Sequence, residues 1–248
     1  MHRGKIVAAI IIICLNSFFC YSQNQPRFEI GIGLAAFIYQ GDLTPSRFGS
    51  WETARPGINL FWSKLLSSSF SLRTNLAIGG LKGDEGIYDQ PDWRKERGFR
   101  FRTPVLELSE LFSWSPLGKN FSDKGFSPYL FGGLGITYLN IKRDWSRYNA
   151  EYFDPISDVS ARLALDTAHS LPRLIPVIPV GGGIRYNFSP GFALNAESAY
   201  RFAYTDYMDG FSQAANPDLN DHYYTVTVGA IFRIGKKDKF DCPPVPGY

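Results

Sequence analysis

Residues Tyr223–Ile234 read YYTVTVGAIFRI, and this stretch decides the fold. Apolar side chains recur at every second position from Tyr224 to Ile234, and the positions between them carry mainly hydroxyl, glycine and charged residues, such as Thr225 and Arg233. A period of two places successive side chains on opposite faces of a β-strand. The run is also long enough for a tilted strand to cross a bilayer, which takes about 9–11 residues. It therefore predicts a membrane strand with one apolar face.

Seven further runs of similar length share this pattern, which predicts an all-β chain. They are Phe28–Tyr39, Arg55–Lys64, Phe70–Gly80, Pro104–Ser115, Ser127–Asn140, Leu174–Asn187 and Gly191–Phe202. Two runs are irregular. Glu110 falls on the apolar face of the fourth, where a bulge or a strand end would absorb it, and Pro176 and Pro179 interrupt the sixth. Together the eight runs predict a transmembrane eight-stranded antiparallel up-and-down β-barrel.

The connections between the runs alternate strictly in length. The short ones are Leu66–Ser69, Pro116–Phe126 and Phe188–Pro190, and the long ones are Gln40–Ala54, Leu81–Thr103, Ile141–Arg173 and Ala203–His222. Short periplasmic turns and long outer loops are typical of outer-membrane barrels. We therefore expect the cell outer membrane as the location, with both termini in the periplasm.

The beginning of the chain is typical of a signal peptide. Arg3 and Lys5 precede the apolar run Ile6–Leu15, which is too short to span a bilayer. We predict a signal peptide over residues 1–22, cleaved between Ser22 and Gln23, a barrel over 23–235 and a periplasmic tail over 236–248. A membrane anchor helix and a lipoprotein start at Cys20 are the alternatives. If the exported chain sits in a membrane, only a closed barrel would satisfy its backbone hydrogen bonds.

Composition excludes several classes of function. Aromatic residues make up 16% of the chain, which suits membrane interfaces, and the net charge of +3 gives no reason to expect a nucleic-acid partner. Removal of the signal peptide leaves only Cys242, so no intrachain disulfide is expected. No cofactor is predicted.

Seven charged side chains on the polar faces of the runs should point into the barrel. They are Glu29, Arg73, Glu107, Arg185, Glu197, Arg201 and Arg233. Eight strands leave an interior just wide enough for side chains to fill it. Opposite charges there should pair, because an unpaired buried charge is costly. We predict a structural charge network that fills the lumen; a gated ion path is the alternative.

The end of the last run resembles the β-signal that the outer-membrane assembly machinery recognises. The pattern of polar, glycine and hydrophobic positions falls on Thr227, Gly229, Phe232 and Ile234. The implied partners are the assembly machinery and outer-membrane lipid.

Residues that could carry chemistry occur in the long connections. His169 lies beside Ser170, and His222 precedes the last run, but nothing in the spacing brings a nucleophile, a base and an orienting acid together. Four carboxylates share the last long connection, namely Asp206, Asp209, Asp218 and Asp221. Their spacing matches no EF-hand, and turn chemistry explains the loop better. We predict neither a catalytic nor a metal site.

Three segments carry a resemblance to a known family. Tyr39–Leu43 reads YQGDL, Tyr204–Ser212 reads YTDYMDGFS, and Asn216–Pro217 and Asn220–Tyr223 lead into the last run. Together they resemble the PorG-like outer-membrane proteins of Bacteroidetes, which have an OmpA-like barrel. The matched loop residues are Tyr204, Thr205, Asp206, Tyr207 and Asp209. The resemblance implies a non-enzymatic component of the type IX secretion system that associates with a periplasmic ring of PorK and PorN.

Three functions follow from these observations. The leading hypothesis is a structural outer-membrane component that anchors or organises the type IX ring. A surface interaction or adhesion barrel, acting through its long extracellular loops, is the second. A barrel enzyme that depends on His169 or His222 is the third.

Overall fold

The computed structural model describes residues 28–121, 124–154, 157–217 and 220–234. The predicted signal peptide over residues 1–22, the predicted tail over residues 236–248, Asp218 and Cys242 lie outside the described residues.

Nine strands make up one antiparallel sheet. They are β1 (Phe28–Gln40), β2 (Arg55–Leu65), β3 (Phe70–Asp84), β4 (Arg100–Trp114), β5 (Gly125–Leu139), β6 (Lys142–Asp144), β7 (Leu174–Ser189), β8 (Phe192–Ala203) and β9 (His222–Ile234). Every strand except β6 pairs with its neighbours around a ring, which closes where β1 pairs with β9. The predicted closed eight-stranded antiparallel barrel is confirmed.

The short connections gather at one end of the barrel, the turn end, and the long connections gather at the other, the loop end. The long connections contain two 3-10 turns, Trp51–Thr53 and Glu85–Ile87, and three helices, α1 (Trp93–Arg97), α2 (Ala150–Phe153) and α3 (Val159–Ala168). None of these helices is long and apolar enough to cross a membrane. The long connections are therefore folded segments that cover one end of the barrel.

Strict alternation separates the two faces of the sheet. Outward residues such as Leu34, Leu134 and Val228 are exposed and apolar, whereas their strand neighbours face the interior. At the turn end, outward aromatic rings contact one another in pairs, including Phe28 with Trp62 and Phe192 with Phe232. An apolar exterior with an aromatic girdle is the arrangement of a transmembrane barrel.

The structure adds to the predicted strands in two places. The hairpin of β3 and β4 runs four residues further than expected on each side, to Asp84 and Arg100, because Leu81 and Phe101 on its inner face continue the buried core. A ninth strand, β6, was not expected; it pairs with the beginning of β4 inside the third long connection.

The prolines of β7 do not end the strand. Pro176 and Pro179 both lie within it, and the register against β5 is the same before and after the unpaired positions opposite Pro179. Proline cannot donate a ladder hydrogen bond, so the cost is confined to a short gap in one ladder.

The bulge or strand end expected at Glu110 is absent. β4 pairs with β3 and β5 in continuous register through this position, so the Glu110 side chain remains on the outward, apolar face. The expectation is wrong because ladder pairing on both sides of β4 fixes the alternation regardless of which side chain falls outside.

Candidate functional site

All seven charged residues of the predicted lumen network lie inside the barrel, and each is at most 9% exposed. They form three groups, each centred on one carboxylate. At the turn end, Glu29 Oε1 accepts from Arg185 Nη1 at 2.8 Å and from Arg233 Nε at 3.0 Å. Arg233 Nη2 also donates to Asn187 Oδ1 at 2.8 Å.

Glu197 forms the second group, deeper in the lumen. Arg73 holds both carboxylate oxygens, each at 2.8 Å, and the Tyr129 hydroxyl donates to Oε2 at 2.7 Å. The Arg73 guanidinium also lies 3.8 Å from the centre of the Phe61 ring. Two-pronged contacts of this kind are among the strongest charge-assisted hydrogen bonds.

Glu107 forms the third group, nearer the loop end. It accepts from Arg201 Nε at 2.9 Å, from the Tyr223 hydroxyl at 2.8 Å and from Ser109 Oγ at 3.0 Å. Each of the three carboxylates therefore has at least two donors, which is what a charge taken out of water requires. These groups fill the lumen from the turn end to its middle.

Beyond Glu107 the interior becomes apolar. A cluster of buried side chains from strand ends and long connections fills the loop end, including Phe37, Leu43, Phe99, Phe101, Met208 and Phe211. The rings of Phe99 and Phe211 stack with their centres 4.3 Å apart. Aromatic side chains bury large areas, and such stacked pairs add about 0.5–1.5 kcal/mol. The long connections thus fold into the mouth of the barrel and close it.

A buried carboxyl pair ties the first long connection to the last. The Tyr39 hydroxyl lies 2.7 Å from Asp209 Oδ2 and 2.5 Å from Asp221 Oδ1. A phenol has one hydrogen to donate, so the second short contact requires a carboxyl proton that donates back to the phenol oxygen. The remaining oxygens of the two carboxyls accept from backbone N–H groups of Met208, Asp209 and Phe211. The geometry therefore describes a pair that holds a proton.

Burial and mutual repulsion both raise the pKa values of the carboxyl groups in this region. Burial, and for Asp209 the charge of Asp221, raise the pKa values of Asp209 and Asp221 well above the usual range. Burial also raises the pKa of Asp42 to about 6 and that of Asp206 to about 7. These shifts favour the neutral carboxyl, in agreement with the shared proton.

Two further buried polar groups hold the loops together. Glu85 is fully buried and pairs with Arg97, whose Nη2 lies 2.5 Å from Oε1, and with Arg94 at 3.3 Å. Asp166, near the end of α3, accepts from three successive backbone N–H groups over residues 212–214 at 2.9–3.2 Å. The Glu85 contacts hold the second long connection together, and the Asp166 contacts join the third long connection to the last.

The loop surface carries a cavity of about 730 Å³ between the first, second and last long connections. Its lining combines one indole ring with cationic and amide side chains, including Gln40, Arg47, Trp93, Arg94, Asn220 and His222. The Trp93 ring lies within 5.0 Å of the Arg94 guanidinium and 4.8 Å of that of Arg97. The cavity therefore offers hydrogen-bond donors, positive charge and one aromatic ring to a small polar ligand.

The five family-matched residues of the last connection differ in their surroundings. Asp209 is buried in the carboxyl pair, and Asp206 and Tyr207 are half-buried. Tyr204, in contrast, is 67% exposed. Thr205 Oγ1 accepts from the backbone N–H of Tyr207 at 3.2 Å. Most of the residues that carry the family resemblance therefore contribute to the folding of the last long connection.

The two histidines of the predicted enzyme alternative lie in separate places. The His169 ring stacks on Tyr207 with the centres 4.1 Å apart, and His222 Nδ1 accepts from the backbone N–H of Ala203. Neither has a nucleophile and an acid as partners in the contacts of the described residues. Within the described ranges, no group of three or more histidine, cysteine or acidic side chains is arranged to hold a metal ion.

The four residues of the predicted assembly signal divide between the two faces of β9. Thr227 is buried in the lumen, whereas Phe232 and Ile234 are exposed on the outside at the turn end. Gly229 faces Gly33 across the seam, and a Cβ at Gly229 would lie 2.7 Å from the carbonyl oxygen of Ile32. Close approach of the first and last strands explains the glycine.

Sequence reasoning missed the buried groups of the loops. Glu85, Arg97 and Asp166 lie in long connections without a period, so no pattern distinguishes them from solvated charges. The single available signal was composition: aromatic and apolar residues such as Phe99, Met208 and Phe211 are more frequent in these connections than solvent-exposed loops need.

Comparisons with known proteins agree with this architecture. The family model described as "Domain of unknown function (DUF6089)" matches residues 5–233, nearly the whole chain. A search of curated proteins found no match.

Solved structures with a similar shape are bacterial barrels. The Yersinia pestis attachment invasion locus protein Ail is 12% identical over 85% of this chain and 99% of its own, with a TM-score of 0.46. The Pseudomonas aeruginosa outer membrane protein OprG is 11% identical over 86% and 98%, with a TM-score of 0.47. The outer membrane enzyme PagL is 11% identical over 82% and 99%, with a TM-score of 0.38. At these values the similarities carry no information about activity.

Proposed function

The chain belongs to the DUF6089 family, and we propose that it is a non-enzymatic outer-membrane barrel that serves as a structural component of a type IX secretion system. In this role it would span the outer membrane with both termini in the periplasm. It would anchor or organise a periplasmic ring of PorK and PorN type.

The closed lumen is the observation that carries a structural role. Charged groups centred on Glu29, Glu197 and Glu107 fill one half, and the apolar cluster around Phe37 and Phe211 fills the other. A solute would have to displace buried ion pairs and a packed core to pass. A filled barrel supports a scaffold better than a channel.

The secretion role rests on the resemblance to PorG-like proteins. Residues of three matched segments, Tyr39, Asp209 and Asp221, meet at the buried carboxyl pair. A Cβ at Gly41 would lie 2.1 Å from Asp221 Oδ1, so the glycine of the first segment fits the same cluster. The matched residues therefore lie together in one folded cluster. Kinship with PorG-like barrels, membership of the secretion system and association with the ring are all part of the proposal.

A pull-down from native membranes tests this proposal. The full chain, a chain without residues 236–248, and the matched control His169→Ala, altered only on the loop side, would each be isolated from a strain that lacks the native gene. We expect the full chain and the control to recover ring proteins and restore secretion, and the tail deletion to recover less. If the strain that lacks the native gene still secretes normally, and the full chain recovers no ring protein, the proposal is contradicted.

A surface interaction barrel is the second candidate, and the loop cavity favours it. A cavity of about 730 Å³ falls within the usual volume of small-molecule sites. Replacement of Trp93 by Ala should then abolish ligand or surface binding while secretion continues, and Trp51→Ala, on the exposed first connection, is the control. Loss of secretion without loss of surface binding would exclude this alternative.

A further inference from the structure

The outward surface of the barrel carries one carboxylate among apolar side chains. Glu110 projects from β4 with Leu108 and Phe112 on either side of it along the strand, both exposed. Its cross-strand partners are Thr74 on β3 and Leu134 on β5. Other charged residues at outward positions of the strands, such as Lys64, Lys82, Arg100 and Arg102, lie close to the strand ends.

Glu110 lies well inside the apolar belt. Four residues separate it from Trp114 at the turn end and eight separate it from Arg102 at the loop end. At about 3.4 Å per residue and a tilt of about 40°, this places it roughly 10 Å inside the girdle. A glutamate side chain is too short to bring its carboxylate fully back to water across that distance.

The barrel itself does not neutralise this group. Among the described residues, Glu110 has one polar contact, in which Thr74 Oγ1 donates to Oε2 at 2.7 Å, and no basic side chain forms an ion pair with it. Its other oxygen has no such donor among these residues. An ionisable residue on a membrane-facing surface is costly and is usually retained for a function.

Gly132 makes a depression beside Glu110. It is the outward residue of β5 paired with Phe112. A Cβ at Gly132 would have its nearest neighbour at 3.7 Å, an ordinary contact. Packing within the barrel therefore does not require a glycine there. Its absent side chain leaves room for a neighbouring molecule next to the carboxylate.

We propose that Glu110 and the outward faces of β4 and β5 around Gly132 and Leu134 form an intramembrane docking surface for another membrane protein. The partner presents a lysine, an arginine or another strong hydrogen-bond donor at the depth of Glu110. Charge complementarity selects this occupant, because lipid chains offer nothing to a carboxylate. The inference depends on membrane insertion and is independent of a role in secretion.

Site-specific photo-crosslinking in native membranes tests the proposal. A photoreactive residue would replace Leu134, which is 69% exposed beside Glu110, or Val228, which is 63% exposed on β9 and serves as the matched control. We expect a discrete adduct with a second polypeptide from position 134 and none from position 228. The Glu110→Gln change should reduce this adduct about tenfold, since the amide keeps the shape of the side chain but removes the charge that strengthens the hydrogen bond. Gly132→Leu should reduce it as well.

A charge exchange decides between the possible occupants. Mass spectrometry of the crosslinked peptide locates the contact segment of the partner and the basic residue within it. Replacing that basic residue by Glu should abolish the adduct. Combining this change with Glu110→Lys, which exchanges the two charges, should restore the adduct. Heat-modifiable gel migration of each variant confirms that the barrel is folded. An adduct with a second copy of this chain, adducts with lipid alone, or an adduct unaffected by Glu110→Gln would overturn the proposal.

Discussion

The two halves of the lumen are filled by opposite chemistry. Toward the turn end, Glu29 and Glu197 are held by arginines from other strands. Toward the loop end, Phe37, Phe99 and Phe211 belong to one apolar cluster, and the buried charged groups of the loops lie around it. The charged half is built from strands alone, so its geometry is fixed by the ladders. The apolar half depends on contacts that the long connections make with one another and with the strand ends. The comparison suggests that the charged half determines whether the barrel forms and the apolar half determines whether its mouth stays closed.

The largest expected effect comes from breaking the charged half. Glu197→Leu leaves Arg73 buried without its carboxylate, which should lower the free energy of unfolding by about 3–5 kcal/mol. Urea unfolding in phosphatidylcholine vesicles, followed by tryptophan fluorescence, measures this. The double change Arg73→Met with Glu197→Leu should recover most of the loss. If Glu197→Leu alone were as stable as the wild type, the Arg73 guanidinium would have to be hydrated inside the lumen.

A change in the apolar half should cost somewhat less and act locally. Phe211→Ala removes a fully buried ring that stacks on Phe99, and we expect a loss of about 3 kcal/mol from the loop layer. The measurement is the rate of protease cleavage within the long connections of the inserted barrel. The urea midpoint of the strands should change little; an equal shift in both readouts would mean that the two halves unfold as one unit.

The Tyr39 hydroxyl should contribute a smaller amount. Tyr39→Phe removes the donor and acceptor between Asp209 and Asp221, and leaving buried polar groups without a partner costs about 1–3 kcal/mol. Protease cleavage after Asp206 should accelerate accordingly. Tyr200→Phe, on the outer face of β8, is the control and should leave the rate unchanged.

The last expected effect is a gradual dependence of loop stability on pH, spread over several pH units. The folded loops raise the pKa of Asp42 to about 6 and that of Asp206 to about 7, so the folded state binds more protons than the unfolded chain between about pH 4 and pH 7. The stabilisation is complete below that window and is lost as the pH rises through it. Protease resistance should therefore fall from pH 5 to pH 8.

Asp206→Asn isolates the contribution of that carboxyl. The amide cannot titrate, so the decline in resistance should become shallower. Asp158→Asn, at the exposed start of α3, should leave the decline unaltered. If protease resistance declined with the same slope in the wild type and both variants, the pH dependence would arise from other titratable groups.

The period of two explains how much of the molecule could be predicted. It located all eight barrel strands to within a few residues and placed Glu29, Arg73 and Glu107 on the inner face, because side-chain direction in a strand follows from position alone. It could not identify which arginine meets which carboxylate. That choice depends on register and on distances across the lumen.

The loop layer could not be predicted, because its contacts join distant parts of the chain without periodicity. Tyr39 and Asp209 are 170 residues apart, and Arg97 and Ala214 are 117 apart. The outward position of Glu110 was visible in the alternation itself. A bulge was expected there because a carboxylate seemed incompatible with the apolar face, whereas the ladders kept it outside.

The seam between β1 and β9 joins the two ends of the barrel through thirteen paired positions, and Glu29 stands directly opposite Arg233 in it. A slip of one residue during closure would turn Arg233 toward lipid. A slip of two would keep Arg233 on the inner face but set it opposite Gly31, about 7 Å along the strand from Glu29. The ion pair is therefore specific to register: among the alignments of the last strand on the first, the observed one sets these two charges opposite each other inside the barrel.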